Sequence, residues 1–207
     1  MRRRAAYTGG GGAGDDGEAP VLGARIDQRA VREIEDLNST VVRQGDWLVL
    51  IEPGRQETVR EVMPPAEVIL GGWMIGEDGV PGPFEPNPNY VPADEALPTD
   101  PIDAVLRRVA NGDNIGGDEI IAALRGAVVE IACDDQDEPL VGPAPDGVPC
   151  VAVATATIYK HRVEADRWRP VLGTVLPDIV PASTDILLNP GSPTQFRLLT
   201  RSLRPAE

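Results

Sequence analysis

The sequence predicts an α+β fold of small mixed sheets packed with short helices. Three observations lead to this prediction. Several apolar runs have the length of β-strands, some segments start with helix-capping residues, and strands and helices do not alternate as regular βαβ units would. Aromatic residues make up only 4% of the chain, so Val, Ile, Leu and Ala must form most of the core.

The N-terminal residues divide into a tail and a first helical pattern. Residues 1–22 are rich in glycine and then acidic, which predicts a disordered tail. From Ile26 to Val41 apolar residues recur at helical spacing, and Gly45 is expected to end that helix. "DWLVLIEP" (46–53) follows and predicts a buried strand.

A β-hairpin is the clearest element of the first half. After a weak helical pattern over 55–62, residues 67–86 contain two apolar runs that flank Glu77-Asp78-Gly79. Asp-Gly favours a tight turn because both residues tolerate positive φ. We therefore predict a small α+β N-terminal unit over residues 23–86.

A proline-rich stretch separates the two halves. The segment "PNPNYVPADEALPTDP" (86–101) carries five prolines, which remove amide donors and fix φ. Neither a helix nor a ladder strand can form there. The sequence predicts a linker over residues 87–99.

A second unit, predicted over residues 100–204, opens with a helix start. Asp100 stands at the N-cap, Pro101 at the first helical position and Asp103 in the first turn, and Asn111-Gly112 ends the helix. The stretches that follow predict a helix at 118–125 and strands at 127–135, 139–143 and 150–158. The last of these is the most apolar and is expected in the centre of the sheet. Residues 167–181 fit either a strand or a short helix, and "TQFRLLTRSL" fits a strand or a helix.

Charge and composition exclude several classes of partner. The net charge is −14, and so negative a surface repels phosphate backbones, which argues against nucleic-acid binding. No run approaches the roughly 20 apolar residues of a membrane span, so we expect no membrane insertion. The basic start has no apolar region behind it, which predicts a cytoplasmic location. Cys133 and Cys150 fit buried thiols, and a disulfide between adjacent strands stays open.

The residues of catalytic chemistry are sparse. His161 is the only histidine, and no serine or cysteine nucleophile stands near it, so it is expected either to face solvent or to be hydrogen-bonded. The cysteine and histidine spacing matches no zinc site, and the acidic runs lack a calcium-loop register. We predict no catalytic residue, no cofactor and no metal site.

The turn Asn189-Pro190-Gly191 has a sufficient structural reason. Pro190 fixes φ, and Gly191 tolerates the positive φ of a tight reversal. The sequence therefore predicts a structural turn here rather than a ligand loop.

The second half of the chain resembles the SseB-like domain. The resemblance rests on the helix "DPIDAVLRRVANGD", the strand "GVPCVAVATAT", and "DILLNPG" with "FRLL" after it. The first half adds "GGWMIGEDGVPGPFEPNPNYVP" joined to "PTDPIDAVL", and the combination resembles proteins described as type VII secretion system-associated in high-G+C Gram-positive bacteria. It spans about residues 67–203. The chain departs from the family at "VAVATA", where the central strand of the SseB-like pattern has an aromatic residue.

Two functions from different classes follow. The resemblance implies a non-catalytic cytoplasmic adaptor or accessory protein, whose protein partner would be a type VII secretion component or substrate. Tyr90, Trp73 and Phe84 are candidate partner contacts, because aromatics rimmed by polar groups often anchor interfaces. The alternative for Trp73 and Phe84 is that they fill the core beneath the hairpin. The alternative function is a small-molecule hydrolase that uses carboxylates alone, which would require two or more carboxylates to converge in a deep pocket.

Overall fold

The computed structural model describes residues 40–55 and 64–204. Within these ranges the chain forms two β-sheets packed with short helices, which confirms the predicted α+β class. The predicted tail over 1–22, most of the helix predicted from Ile26, and all but the first residue of the weak helix over 55–62 lie outside the described residues.

The smaller sheet has four antiparallel strands in the order β1-β2-β3-β4. Its strands are β1 (Thr40–Gln44), β2 (Trp47–Ile51), β3 (Ile69–Ile75) and β4 (Pro81–Pro86). β2 lies inside the predicted strand over 46–53. β3 and β4 form the predicted hairpin, in which the Asp78 side chain accepts the Val80 N–H at 3.0 Å and Gly79 has a φ of 76°.

The helix predicted from Ile26 to Val41 is wrong at its C-terminal end. Thr40–Gln44 is a strand that pairs with β2, with Val41 opposite Leu50. Val41 and Val42 are adjacent β-branched residues, which fit a pleated surface. Pairing with the apolar strand β2 stabilises them there, and this stabilisation outweighs the helical spacing of Val41. Gly45, with a φ of 60°, therefore turns a hairpin and does not end a helix.

Two helices start the second half of the chain. They are α1 (Pro101–Ala110) and α2 (Gly117–Arg125). The predicted cap of α1 is confirmed, since Oδ1 of Asp100 accepts the N–H groups of Ile102 and Asp103, both at 2.9 Å. This geometry satisfies two of the four free amides of the first turn.

The larger sheet has six strands, ordered β10-β9-β7-β5-β8, with β6 also paired to β7. They are β5 (Val128–Cys133), β6 (Val141–Pro143), β7 (Pro149–Ala154), β8 (Arg167–Leu172), β9 (Asp185–Leu188) and β10 (Phe196–Leu198). β7 is parallel to β9 and antiparallel to β5 and β6, so the prediction that this most apolar strand is central is confirmed.

Short helical turns account for the ambiguous stretches. Residues 167–181 contain β8, a 3₁₀ turn over Gly173–Val175 and the one-turn helix α3 (Leu176–Ile179). β10 is followed by a 3₁₀ helix over Thr200–Leu203. Two further 3₁₀ segments cover Ala66–Val68 and Thr157–Arg162.

The two faces of the larger sheet differ in what covers them. Strand alternation sends six buried side chains toward the helices: Val129, Ile131, Val151, Val153, Ile186 and Leu188. We call the opposite side the outer face. It carries Ala132 and Ala152 beside Leu187. The cysteines lie on opposite faces as free thiols, with Cys133 in the main core and Cys150 on the outer face.

A single apolar core joins both sheets and the helices. Leu50, Leu70 and Phe84 from the smaller sheet belong to the same buried cluster as Leu106 of α1 and Ile131 of β5. The Phe84 N–H also donates to the Gly126 carbonyl at 2.8 Å, which ties β4 to the end of α2.

The proline-rich segment has no helix or strand, as its prolines predict, but it is packed against the fold. The Asn87 N–H donates to the Leu70 carbonyl at 2.8 Å, and its side-chain amide donates to the carbonyls of Ala66 and Ile69. Arg107 of α1 donates to the Glu95 carbonyl at 2.9 Å. The segment is therefore held at both ends.

Candidate functional site

The three aromatic residues predicted as partner contacts are core residues. Trp73, Phe84 and Tyr90 are 4%, 2% and 4% exposed. The rings of Trp73 and Phe84 meet edge to face with centroids 5.0 Å apart, as the core alternative for this pair describes. The Tyr90 hydroxyl donates to Oε2 of the buried Glu52 at 3.0 Å. Because none of the three presents an open surface, they are not part of the candidate site.

The Asn189-Pro190-Gly191 turn reverses the chain after β9. Gly191 has a φ of 70°, as the turn prediction requires. Asn189 also has a positive φ, 47°, and its side chain is fully buried. The turn therefore points a polar side chain into the protein, a feature that the sequence analysis did not predict.

The Asn189 side chain leads into a buried cluster of polar groups. Its Oδ1 accepts the Thr155 N–H, and its Nδ2 donates to Thr155 Oγ1, both at 2.9 Å. The Thr155 hydroxyl donates in turn to Oδ2 of Asp100 at 2.7 Å. Thr99 donates to the same oxygen at 2.7 Å. With its two cap hydrogen bonds, the Asp100 carboxylate receives four donors.

A second carboxylate lies one helical turn further along α1. Asp103 Oδ2 accepts from Arg107 Nε at 2.7 Å and from the Thr99 N–H at 3.1 Å. Its Oδ1 accepts from the Thr194 hydroxyl at 2.8 Å. We call this set the buried carboxylate cluster; its members are Thr99, Asp100, Asp103, Arg107, Thr155, Asn189 and Thr194.

The two carboxylates differ in their electrostatic surroundings. Asp103 has a bonded guanidinium, whereas Asp100 receives only neutral donors. The pKa of Asp100 is raised to about 6, chiefly by burial and then by the charge of Asp103. The hydrogen bonds from Thr155, the Asp103 N–H and Thr99 lower the pKa and offset part of this rise. The pKa of the nearby Tyr159 is also raised, first by burial and then by the charges of Asp103 and Asp100.

Adjacent carboxylates of this kind occur in the active sites of enzymes that use acid–base catalysis. One protonated and one ionised carboxyl group can act as a general acid and a general base. Here, however, Asp100 is 1% and Asp103 0% exposed, and neither lines either surface hollow described below. Both carboxyl groups are therefore closed to solvent in this structure.

Sequence reasoning missed this cluster, although one signal was visible. Asp103 and Arg107 stand at i, i+4, the spacing of a helical ion pair. Such pairs are usually exposed, and the sequence alone indicates Asp103 only as a charge near the start of the helix. The partners Thr155, Asn189 and Thr194 come from strand ends and turns far along the chain, which spacing cannot reveal.

The outer face of the larger sheet carries an open hollow of about 270 Å³. Its floor is made of small side chains, Ala132 and Ala152, so the sheet surface is recessed there. The walls come from β6, from the loop after the 3₁₀ helix over Thr157–Arg162, and from the Asn-Pro-Gly turn. We call it the outer-face hollow; the full lining is Ala132, Leu140, Val141, Gly142, Pro143, Cys150, Ala152, Val163, Glu164, Leu187 and Pro190.

The lining of this hollow is apolar and open to solvent. Gly142, which pairs with Cys150 on the outer face, is exposed, and so is Pro143. A Cβ placed on Gly142 would meet no atom within 4 Å. Glu164 is the one charged residue of the lining. The hollow therefore offers apolar contact next to a negative charge.

A second hollow, of about 350 Å³, lies beside the last 3₁₀ helix. Its lining mixes Asp185 with Arg201 and Arg204, and Asp185 is already bonded to Arg197 at 2.7 Å. Its charges are of both signs, so it selects less clearly for one kind of ligand.

Two further features bear on the candidate chemistry. Over residues 40–55 and 64–204, no three His, Cys, Asp or Glu side chains are grouped so that they could hold a metal ion. None of the helices found in those same ranges is long and apolar enough to cross a membrane. His161 is exposed, which is the solvent-facing alternative of its prediction.

Comparison with known proteins adds no assignment to this geometry. The chain matches no protein-family model, no curated protein and no solved structure.

Proposed function

We propose that this chain is a non-catalytic, cytoplasmic accessory protein that binds another protein, and that its partner is a component or substrate of a type VII secretion system. The secretion context rests on the resemblance of residues 67–203. The observation that carries the binding role is the outer-face hollow, an accessible apolar recess in the larger sheet. Exposed apolar recesses with polar borders are characteristic of interaction sites.

The buried carboxylate cluster supports the non-catalytic part of the proposal. Its two carboxylates are buried, and they accept hydrogen bonds from groups of α1, the end of β7 and the turn after β9. A structural role needs this closure, whereas a hydrolase needs a carboxylate that a substrate can reach.

Affinity purification from the cytosol of the source bacterium tests the binding role. The tagged chain should recover one specific protein in near-stoichiometric amount, and the gene of that protein should lie among secretion genes. Recovery of no specific protein by the full chain, at a yield that recovers a known control pair, would contradict the proposal. A specific partner unrelated to secretion would contradict its secretion context alone.

The carboxylate-dependent hydrolase is the second candidate, because two carboxylates do converge and the pKa of Asp100 is raised. Ester, phosphoester and peptide substrates can be assayed with the wild type and with Asp100→Asn. Turnover by the wild type that is lost in a folded Asp100→Asn variant would establish this function in place of the first.

A further inference from the structure

We infer that the outer-face hollow receives an extended peptide segment that carries one or two apolar side chains flanked by lysine or arginine. This inference rests on the proposed binding function and specifies the chemistry of the partner.

The size of the hollow favours side chains over a whole ligand. Small-molecule sites enclose roughly 300–1,000 Å³ and bury most of their ligand. The outer-face hollow, at about 270 Å³, is smaller and is open to solvent. Its floor is the sheet surface at two alanines. A short segment lying across the sheet could insert one or two apolar side chains and leave its backbone outside.

The lining explains why those side chains must be apolar. Leu140, Val163 and Leu187 offer methyl groups and no hydrogen-bonding side chain. A polar group placed among them would lose its water contacts without gaining a partner, which costs on the order of 1–3 kcal/mol. Burial of an apolar side chain there is favourable by about 25 cal/mol for each Å² removed from water.

The charges around the hollow are predominantly acidic. Ala132 and Leu140 both line the hollow, and the turn between them contains Asp134, Asp135, Asp137 and Glu138. Asp137 is bonded to Arg169 at 3.2 Å. Asp134 accepts two backbone N–H groups of its own turn, which carry no formal charge to offset the carboxylate. This turn thus places a net negative charge at one end of β6.

The other borders of the hollow are also negative on balance. The turn after β6 carries Asp146, which shares Arg197 with Asp185, so two carboxylates meet one guanidinium. Glu164 lies in the lining itself. An opposing cation is Arg162, which donates to the Gly191 carbonyl at 2.8 Å beside Pro190. A basic segment is therefore attracted to the rim, and an acidic one is repelled.

The chain offers a matched pair of variants for the test. Gly142→Leu places a side chain in the hollow, at a position with open space and no positive φ. Gly117→Leu is the control, since Gly117 has the same open surroundings but lies at the start of α2. Val163→Asp is a second lesion, in the loop that forms one wall of the hollow, for use if Gly142→Leu unfolds. Glu164→Lys tests the charge.

The probe is a phage-displayed library of random dodecapeptides, selected on the immobilised full-length chain. We expect enriched sequences with an apolar residue flanked by Lys or Arg. Synthetic copies should bind at least tenfold more weakly to Gly142→Leu and equally to Gly117→Leu. Glu164→Lys should weaken binding several-fold, and the wild-type affinity should fall as salt increases. Three results would each overturn the inference. The enriched sequences could be acidic or uncharged, or no sequence could be enriched above the bare support. Alternatively, folded Gly142→Leu could bind the peptides as well as the wild type does.

Two comparisons separate this inference from the proposed function. A native partner recovered equally by wild type and Gly142→Leu would overturn the inference and leave the binding function standing. A wild type that sediments as a dimer, with a monomeric Gly142→Leu variant, would show that a second copy of the chain occupies the hollow, which also overturns it.

Discussion

Asn189 and Thr155 are hydrogen-bonded in both directions: the Thr155 N–H donates to the Asn189 Oδ1, and the Asn189 Nδ2 donates to the Thr155 hydroxyl oxygen, each at 2.9 Å. The Asn189 N–H donates in addition to the Val153 carbonyl at 2.9 Å. The asparagine thereby continues the parallel pairing of β7 and β9 by one residue, using its side chain where the backbone turns away.

Asn189→Ala should destabilise the protein by about 2–4 kcal/mol, for two reasons. It leaves the Thr155 N–H without a partner. It also places at a positive φ an alanine, which lacks the side-chain carboxamide of asparagine. Asn189→Gly loses the same side-chain bonds without the backbone strain, so its cost should be smaller by roughly 1 kcal/mol. Urea unfolding of the three proteins measures both differences. An alanine variant within about 0.5 kcal/mol of wild type would contradict a structural role for this side chain.

Gly191→Val should destabilise the protein by about 1–3 kcal/mol, because φ is 70° there and a β-branched residue rarely adopts that value. Steric crowding is not the cause, since a Cβ placed on Gly191 would lie 3.7 Å from its nearest neighbours, two side-chain atoms of Arg162. Gly142→Val is the matched control: it has open space and no positive φ, and should change stability by less than about 0.5 kcal/mol. Thermal unfolding compares the two. Equal effects would disprove the backbone explanation.

Asp100→Asn should change how stability depends on pH. Because the folded-state pKa of Asp100 is raised from 3.8 to about 6, the folded protein binds this proton more tightly than the unfolded chain does. Its contribution to stability is therefore complete below pH 3.8 and is lost as the pH rises through about 6. Each unit of pKa shift corresponds to about 1.4 kcal/mol.

Asparagine cannot titrate, and it can keep the acceptor for the two cap amides. The variant should therefore lose the decline in stability that Asp100 causes between about pH 4 and pH 6. Unfolding by urea at half-unit pH steps gives the two profiles, with Asp78→Asn, an exposed turn aspartate, as the control. Parallel profiles of wild type and Asp100→Asn would rule out Asp100 as the titrating group.

Tyr90→Phe should cost about 1–2 kcal/mol, because it removes the donor to the buried carboxylate of Glu52 and keeps the ring in place. Tyr90→Ala should cost about 3–5 kcal/mol, since it also empties the ring site. A tyrosine in a solvated linker would show neither loss. Denaturant unfolding distinguishes the two cases, and hydrogen exchange at Asn87, whose N–H is bonded to Leu70, reports whether the segment detaches.

The elements with local signals could be predicted from the sequence. The Asp-Gly hairpin, the Asp100 cap with Pro101 behind it, and the central apolar strand all depend on neighbouring residues and appear as expected. Val41 shows the limit of local patterns. Its helical spacing competes with pairing to Leu50, and only the folded sheet decides between them.

Features built from distant residues could not be predicted. Tyr90 meets Glu52 across 38 positions, and Asp103 meets Thr194 across 91. Proline content shows that a segment lacks regular structure, but not whether its side chains are buried. The outer-face hollow likewise exists because Ala132 and Ala152 become neighbours in the sheet, whereas the sequence shows two unrelated alanines in apolar runs.

The bond from the Phe84 N–H to the Gly126 carbonyl has a consequence for folding cooperativity. The β-bridge between Phe84 and Ala127 lies beside it, so the last strand of the smaller sheet begins to pair with the start of β5. Because the Phe84 ring also lies in the shared core, neither sheet can melt without exposing apolar surface of the other. Unfolding should then be a single transition, and limited proteolysis within residues 87–99 should release no stable half.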